Sequence, residues 1–150
     1  MTRSGKTGLY HVELRVSNFR KSFQFYDSLF RRLGWKQLDR GADYCGWEDA
    51  TPYSGNLWII QAEHPYRAAR FHRKRPGLNH IAFMVAGREE VDHLYREFLL
   101  KKRIPVLYGG PKEYPEYHRG YYAVYFEDPD RMKLEVTHIP RQRRKTSGII

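Results

Sequence analysis

The stretch GLYHVELRV at residues 8–16 returns in similar form as GLNHIAFMV at residues 77–85. Both are rich in apolar and β-branched residues, which is typical of short β-strands. The correspondence continues beyond the strands when residue 8 is laid on residue 77. The matched positions are Gly8 with Gly77, Leu9 with Leu78, His11 with His80, Val12 with Ile81, Val16 with Val85, and Tyr26 with Tyr95.

A helical pattern follows each of these strands. The first pattern has apolar residues spaced by four and three, which places them on one helix face; they are Phe19, Phe23, Tyr26, Phe30 and Leu33. Ser17 or Asn18 is suited to cap this helix, and Gly34 to end it. The second pattern has a similar stripe, Val91, Leu94, Tyr95, Phe98 and Leu99, and ends at residues 103–105.

Short strand candidates separated by turn residues follow each helix. They are WKQL (35–38), YCGW (44–47) and NLWIIQ (56–61) in the first half, and PVLY (105–108), YYAVYF (121–126) and MKLEVTHI (132–139) in the second. Intervening turns are predicted at Pro52–Gly55, 109–111 and 128–130. Each half therefore has the order β-α-β-β-β.

The sequence thus predicts an α+β fold of two tandem βαβββ modules. We expect modules at residues 8–62 and 77–139, a charged linker at 63–76 and a basic tail at 140–150, all within one structural domain. A single module leaves one sheet face uncovered, so two are expected to pair as a curved sheet with a cleft. Residues at equivalent positions would then face each other across that cleft.

Composition narrows the range of functions. The 150 residues carry a formal net charge of +10, concentrated in RAARFHRKR (67–75) and RQRRK (141–145). Most of these charges are expected to be solvated, and the sequence has no DNA- or RNA-binding signature, which argues against a nucleic-acid partner. No apolar run is long enough to span a membrane. Cys45 is the single cysteine, and we expect a cytoplasmic protein.

The repeated histidines raise the prospect of a metal site. His11 and His80 begin equivalent strands, and Glu135 lies in the last strand of the second module. Two imidazoles and a carboxylate suit a divalent ion of iron, manganese, nickel, cobalt or zinc. An alternative interpretation gives the three residues separate structural roles, with one buried histidine, one at a strand end, and an edge carboxylate.

The chain resembles the vicinal oxygen chelate superfamily over nearly all of residues 8–139. The matching stretches are HVELRVSNFRKSFQFYDSLFRRLGW (11–35), GLNHIAFMV (77–85) and YYAVYFEDPDRMKLEV (121–136). This superfamily includes glyoxalase I, methylmalonyl-CoA epimerase, extradiol dioxygenases and bleomycin-resistance proteins. The resemblance implies paired βαβββ modules around one divalent metal ion held by His11, His80 and Glu135.

Some members take a fourth ligand from the last strand of the first module. The symmetry between NLWIIQ and MKLEV places either Ile60 or Gln61 opposite Glu135, depending on a one-residue choice of register. Gln61 would give a four-ligand, glyoxalase-like site, and Ile60 a three-ligand site as in ring-cleaving dioxygenases. Glu63, on the same face as Gln61, is a third candidate.

The resemblance implies that the metal stabilises an enolate or other oxyanion of the substrate. An isomerase also needs a base, for which Glu135, Gln61 (as a positioning residue) and Glu63 are the candidates. A dioxygenase often has a histidine or tyrosine over the metal, and the stretch YPEYHRGYY offers His118, Tyr117, Tyr121 and Tyr122.

Positive charge near the cleft would suit an anionic substrate. Arg15 shares the parity of His11 in the first strand, and Arg119 precedes a strand of the second module. Trp47 and Trp58 are candidates for an apolar wall, although core packing explains them as well. The predicted substrate-binding residues are Arg15, Trp47, Arg119 and Tyr122.

The family resemblance and the candidate residues lead to three hypotheses about function. The leading one is a metal-dependent, glyoxalase-like lyase or isomerase acting on a small anionic, oxygen-bearing molecule. The second is an extradiol-type dioxygenase. The third is a metal-free small-molecule binding or resistance protein. Many members of the superfamily pair, so we also expect a homodimer.

Overall fold

The first module is a four-stranded mixed sheet with one helix packed on it. Its elements are β1 (His11–Val16), α1 (Phe19–Arg32), β2 (Lys36–Arg40), β3 (Tyr44–Glu48) and β4 (Asn56–Gln61). The strand order is β1-β4-β3-β2, with β1 and β4 parallel and the other pairs antiparallel. The predicted β-α-β-β-β order is confirmed for this half.

The second module repeats this topology. Its strands are β5 (His80–Met84), β6 (Val106–Glu113), β7 (Tyr122–Glu127) and β8 (Lys133–His138), in the order β5-β8-β7-β6. The helix α2 (Arg88–Leu94) continues as a wider, π-helical segment over Tyr95–Leu100. The predicted α+β fold of two tandem modules is therefore confirmed, and the second helix changes its winding halfway.

The computed structural model describes residues 8–50, 55–69 and 71–140. These residues form two compact units. The first runs to Asn79 and includes Asp128–Met132, and the second comprises His80–Glu127 and the residues from Lys133 onward. The basic stretch 141–145, nearly all of the predicted tail and most of the Pro52–Gly55 turn lie outside the described residues. No helix among the described residues is long and apolar enough to cross a membrane.

The boundaries of α1 follow from local chemistry. The side-chain oxygen of Asn18 accepts a hydrogen bond from the backbone N–H of Lys21 at 3.0 Å, so Asn18 rather than Ser17 is the N-cap. Gly34 follows the helix with φ of +78°, a conformation that favours glycine. Between these residues the helix buries Phe19, Tyr26 and Phe30 of its predicted apolar stripe. Phe23 and Leu33 of the stripe are half-buried, and Leu29, which was not predicted, is fully buried.

Strand alternation divides each sheet into a helix-facing side and an open side. In β1, Leu14 and Val16 are buried on the helix-facing side, whereas His11, Glu13 and Arg15 are exposed on the other. The second sheet follows the same rule, because Phe83 is buried between the exposed residues Ala82 and Met84. Both histidines that begin β1 and β5 therefore belong to the open sides of their sheets.

The turn between β7 and β8 is held by a buried carboxylate. Asp128 accepts hydrogen bonds from the Tyr26 hydroxyl and from the backbone N–H groups of Asp130 and Met132, each at 2.8 Å. Burial nevertheless raises the pKa of Asp128 from 3.8 to about 6, more than the Tyr26 hydrogen bond lowers it. The folded protein therefore binds this proton more tightly than the unfolded chain does.

This shift predicts that stability falls as the pH rises. Between about pH 4 and pH 6 the unfolded chain has released the proton while the folded protein still holds it, so Asp128 lowers the free energy of unfolding by about 3 kcal/mol across that window. Asp128→Asn should remove this contribution. Urea denaturation at pH 4 and pH 7 measures it, and equal pH dependence in the variant and the wild type would contradict the expectation.

Candidate metal centre

The second unit brings His80 and Glu135 together on the open side of its sheet. The strand register pairs Ala82 with Glu135 and His80 with Lys133, so the histidine and the carboxylate are diagonal neighbours on one face. His80 Nε2 lies 3.1 Å from Glu135 Oε2. Glu135 is only 1% exposed, whereas the His80 side chain remains 34% exposed. Glu135 is thus a buried carboxylate, and His80 lies between it and the solvent.

Tyrosines surround this carboxylate. The Tyr121 hydroxyl donates to Glu135 Oε1 at 2.5 Å, and Tyr125 lies directly opposite Glu135 on β7. Burial raises the pKa of the phenols of Tyr121 and Tyr125, and that of Tyr114 to about 12. All three phenols therefore stay protonated at neutral pH and can donate hydrogen bonds.

Tyr114 adds an unsatisfied group to the same cluster. Its ring packs edge-on to Tyr125 at 5.4 Å between ring centroids. Its hydroxyl is buried and has no hydrogen-bond partner within the described ranges of the chain. After burial, the charge of Glu135 is the main influence on its pKa, so the two groups interact electrostatically. A buried donor without a partner is costly unless a ligand or water satisfies it.

The spacing of His80 Nε2 and Glu135 Oε2 is compatible with two ligands of one divalent cation, and equally with a direct ion pair between a histidine and a carboxylate. Metal–ligand bonds of about 2.0–2.2 Å at a right angle put two donor atoms about 3.0 Å apart, close to the 3.1 Å between His80 Nε2 and Glu135 Oε2. Imidazole nitrogen and carboxylate oxygen are both ordinary ligands of zinc, iron, nickel, cobalt and manganese. Among the residues that the structure describes, no group of three or more His, Cys, Asp or Glu side chains is clustered for metal binding.

His11 lies in the first unit, at the start of β1. Its side chain borders an open cavity of about 490 Å³ that is also lined by Glu13, Asn56 and Trp58. The Tyr10 ring meets the imidazole edge-on, with ring centroids 5.4 Å apart. His11 is therefore exposed and accessible to a ligand within its own unit.

The register of the first sheet corrects the predicted fourth ligand position. β1 pairs with β4 so that Glu13 lies opposite Trp58, just as Ala82 lies opposite Glu135 in the second unit. Trp58, rather than Ile60 or Gln61, is thus the equivalent of Glu135, and the predicted choice between those two residues was wrong. The indole occupies space that Gly46 leaves open, because a Cβ on Gly46 would meet it at 2.5 Å.

Gln61 and Glu63 lie away from the open side of the first sheet. The Gln61 side chain accepts from the N–H of Phe19 at 2.8 Å and donates to the carbonyl of Ser17 at 2.9 Å, which ties the end of β4 to the start of α1. Glu63 is exposed beyond β4 and precedes a short 3₁₀ turn, His64–Tyr66. The predicted catalytic roles of both residues therefore have no support from their positions.

Two of the predicted substrate-binding residues face the helices instead. Trp47 is 1% exposed and packs against Phe23 and Phe30 with ring centroids 6.0 and 5.2 Å apart, so it belongs to the core beneath α1. Tyr122 donates to Asp92 of α2 at 2.8 Å, on the side of the sheet opposite Glu135. The predicted substrate-binding roles of Trp47 and Tyr122 are therefore corrected, because side chains alternate along a strand and both residues point to the helix-facing side of their sheets.

The two predicted arginines remain exposed. Arg15 is on the open side of β1 and forms an ion pair with Glu13 at 3.6 Å. Arg119 lies in an ordered turn before β7, where the N–H of Tyr121 donates to the carbonyl of His118 at 3.0 Å. In the same turn Tyr114 and Tyr117 stack with nearly parallel rings. Residues 114–121 thus form a turn whose tyrosines pack beside Glu135.

Tyr114 and Tyr125 were not predicted as site residues, and Tyr121 was predicted only as a residue over the metal. The alternation of side chains along β7 would have identified Tyr125 and Tyr121, because Tyr125 pairs with Glu135 on the neighbouring antiparallel strand β8. Tyr121, four residues before Tyr125, lies on the same face of the sheet, whereas Tyr122 lies on the opposite face. This assignment requires the register of the β7–β8 hairpin, which the sequence does not give.

The fold and these positions are accompanied by a family match. Residues 8–136 match the model of the Glyoxalase/Bleomycin resistance protein/Dioxygenase superfamily, and the chain belongs to that family. The chain is 35% identical over 128 residues to the uncharacterized protein YqjT of Bacillus subtilis (strain 168). That match covers 85% of this chain and 96% of YqjT.

Solved structures agree with this membership. The crystal structure of a candidate glyoxalase from Bacillus halodurans matches with a TM-score of 0.74 and 33% identity, over 87% of this chain and 95% of that one. Lactoylglutathione lyase from Agrobacterium tumefaciens matches with a TM-score of 0.59 and 18% identity, over 89% of this chain and 94% of that one. The second likeness concerns the fold alone.

Proposed function

We propose that this protein is a divalent-metal-dependent, glyoxalase-like lyase or isomerase acting on a small anionic substrate with neighbouring oxygens. The observation that carries the proposal is the 3.1 Å approach of His80 Nε2 to the buried Glu135 carboxylate. A buried carboxylate is expensive unless it is paired, so the burial of Glu135 beside His80 supports a functional role for the pair. His11 is proposed as the third ligand, on the family resemblance.

The bound metal would act as a Lewis acid toward an oxygen that gains negative charge in the reaction. Glu135 is proposed to accept the substrate proton, because it is the carboxylate that the second unit buries on its open face. Tyr121 holds that carboxylate in one orientation through its hydrogen bond to Oε1. Tyr114 offers an unused hydroxyl to a substrate oxygen. The tyrosine rings also exclude water from the carboxylate.

The substrate is proposed to be anionic because exposed arginines accompany the open faces. Arg15 follows His11 and Glu13 along β1, and Arg119 lies in the turn that carries the tyrosines of the second unit. Guanidinium groups bind carboxylate and phosphate through paired hydrogen bonds. A homodimer is also proposed, and light scattering of the purified protein measures it.

An extradiol-type dioxygenase is the second candidate. The observation that favours it is Trp58, since an indole stands where a fourth, carboxylate ligand would be needed for a glyoxalase-like set. Two histidines and one carboxylate with open coordination positions are typical of non-haem iron oxygenases. Oxygen uptake with a catechol, compared with proton exchange on a hemithioacetal, separates the two reactions.

The metal requirement is tested by elemental mass spectrometry of protein purified without chelator. We expect about one equivalent of metal in the wild type and a loss of most of it in His80→Ala, because a ligand has been removed. His93→Ala is the matched control, since His93 is an exposed histidine on α2 of the same unit. Equal metal content in all three proteins would reject His80 as a ligand, and no metal in any would favour a metal-free binding protein.

A further inference from the structure

A second cavity lies in the first unit, at the other end of β1 from His11. Its volume is about 960 Å³, and it is bounded by Arg15, by the segment between β4 and β5, and by the β7–β8 turn. Since a strand rises about 3.3 Å per residue, Arg15 is roughly 13 Å along β1 from His11. This cavity, the basic groove, is therefore separate from the one that borders His11, and its size is suited to a small organic ligand.

The basic groove has an excess of positive charge. Four arginines line it: Arg15, Arg67, Arg75 and Arg131. Asp130 is the one carboxylate among the described lining residues, and both of its oxygens are occupied. They accept hydrogen bonds from the backbone N–H of Ser17, at 2.8 Å, and from the Ser17 hydroxyl. The lining therefore attracts an anion carrying more than one charge.

One of these cations is already held in place. Arg67 donates through Nε to the carbonyl oxygen of Ala62 at 2.9 Å, at the buried end of β4. That bond restrains the guanidinium and does not use its two terminal nitrogens, which are the pair that binds phosphate oxygens in a bidentate manner. A preorganised arginine loses less conformational entropy when the anion binds.

The groove also presents aromatic surface. Tyr66 is 67% exposed, and Phe71 is half-buried in the same lining. The small side chains of Ala68 and Ala69 belong to the same lining. An exposed aromatic ring beside arginines is suited to stacking against a nucleobase.

We propose that the basic groove binds a phosphorylated small molecule with a flat ring, of the nucleoside diphosphate class. The arginines bind the phosphates, and Tyr66 and Phe71 contact the ring. The site does not depend on the metal centre proposed above, because its lining residues belong to the first unit and none is a proposed metal ligand. Arg15 is the one lining residue also proposed to bind the substrate of that centre, and the tested arginines, Arg67 and Arg75, are not.

Isothermal titration of the full chain with ADP, in the presence of EDTA, tests the proposal. The variant Arg67→Gln/Arg75→Gln should raise the Kd for ADP at least about tenfold, because two charge-assisted contacts are lost. The control Arg20→Gln/Arg31→Gln removes the same charge from exposed positions of α1 and should change the Kd less than about twofold. Equal weakening in both double variants would overturn the site, since general electrostatic attraction would then explain the binding.

The ring contact is tested separately. Pyrophosphate should bind about tenfold more weakly than ADP, and Tyr66→Ala should reduce that difference, because base stacking is lost. Equal affinities for ADP and pyrophosphate would overturn the nucleotide class. An oligothymidylate that binds more tightly than ADP, and is released by the Arg67→Gln/Arg75→Gln variant, would overturn the small-molecule proposal in favour of single-stranded nucleic acid.

Discussion

Glu135→Gln should lower the affinity of the protein for a divalent metal by at least about 100-fold. Removing a hydrogen-bond partner of a ligand costs about 10–100-fold in metal affinity, and removing the charge of the ligand itself costs more. Glutamine keeps the shape of the side chain and its capacity to accept the Tyr121 hydrogen bond, so the sheet should remain folded. Turnover of the substrate should fall at least in proportion. Competition with a chromogenic chelator measures the affinity.

Two controls make this result specific. Glu113→Gln also removes a carboxylate from the second unit, but Glu113 is an exposed partner of Arg88 on β6 and should leave metal affinity unchanged. Tyr121→Phe keeps the carboxylate and removes only its hydroxyl donor, so its effect should fall between the two, at about 10–100-fold. If Glu135→Gln and Glu113→Gln bound metal equally well, Glu135 would be a structural residue.

The second large effect is expected on stability. Trp47→Ala should lower the free energy of unfolding by about 3–5 kcal/mol, because it leaves a cavity the size of an indole under α1. Trp47 is 1% exposed and packs against Phe23 and Phe30, so neighbouring rings cannot fill that space without moving the helix. Urea denaturation followed by far-ultraviolet circular dichroism measures the change.

Trp58→Ala is the matched control for Trp47→Ala. Trp58 belongs to the adjacent strand but to the opposite, partly exposed face, where its Nε1 donates to Asn56 at 2.8 Å. Its replacement should cost less than half as much stability, since less apolar surface is lost from the interior. Equal destabilisation by the two substitutions would show that the open side of the sheet is packed as tightly as the helix-facing side.

Much of the fold could be predicted because local chemistry and periodicity agree in α1 and β1. Helical spacing of the aromatic residues, a capping asparagine and Gly34 define the helix without any long-range information. The π-helical segment Tyr95–Leu100 could not be predicted, because it keeps the same apolar stripe as an α-helix and differs only in its hydrogen bonding.

The candidate site was predictable only in part. His80 and Glu135 were identified from the repeat and the family resemblance, and the structure places them 3.1 Å apart on one face of the second sheet. The side of the sheet that each tryptophan faces depends on strand pairing, and the pairing of Gly46 with Trp58 places Trp47 on the other side. Strand registers join residues far apart in sequence, and a one-residue error exchanges the faces.

The first sheet pairs Gly46 with Trp58 at the position where the second sheet pairs Tyr125 with Glu135. This difference has an evolutionary consequence. Trp58→Glu alone would place a carboxylate opposite Gly46, without a phenol such as that of Tyr125, which lies opposite Glu135 in the second sheet. Gly46→Tyr alone would push a Cβ to within 2.5 Å of the indole. Gly46→Tyr is therefore unfavourable until Trp58 has been replaced by a smaller side chain. The order in which these two neighbouring strands can change is constrained, and the first sheet cannot acquire the tyrosine of the second by a single substitution.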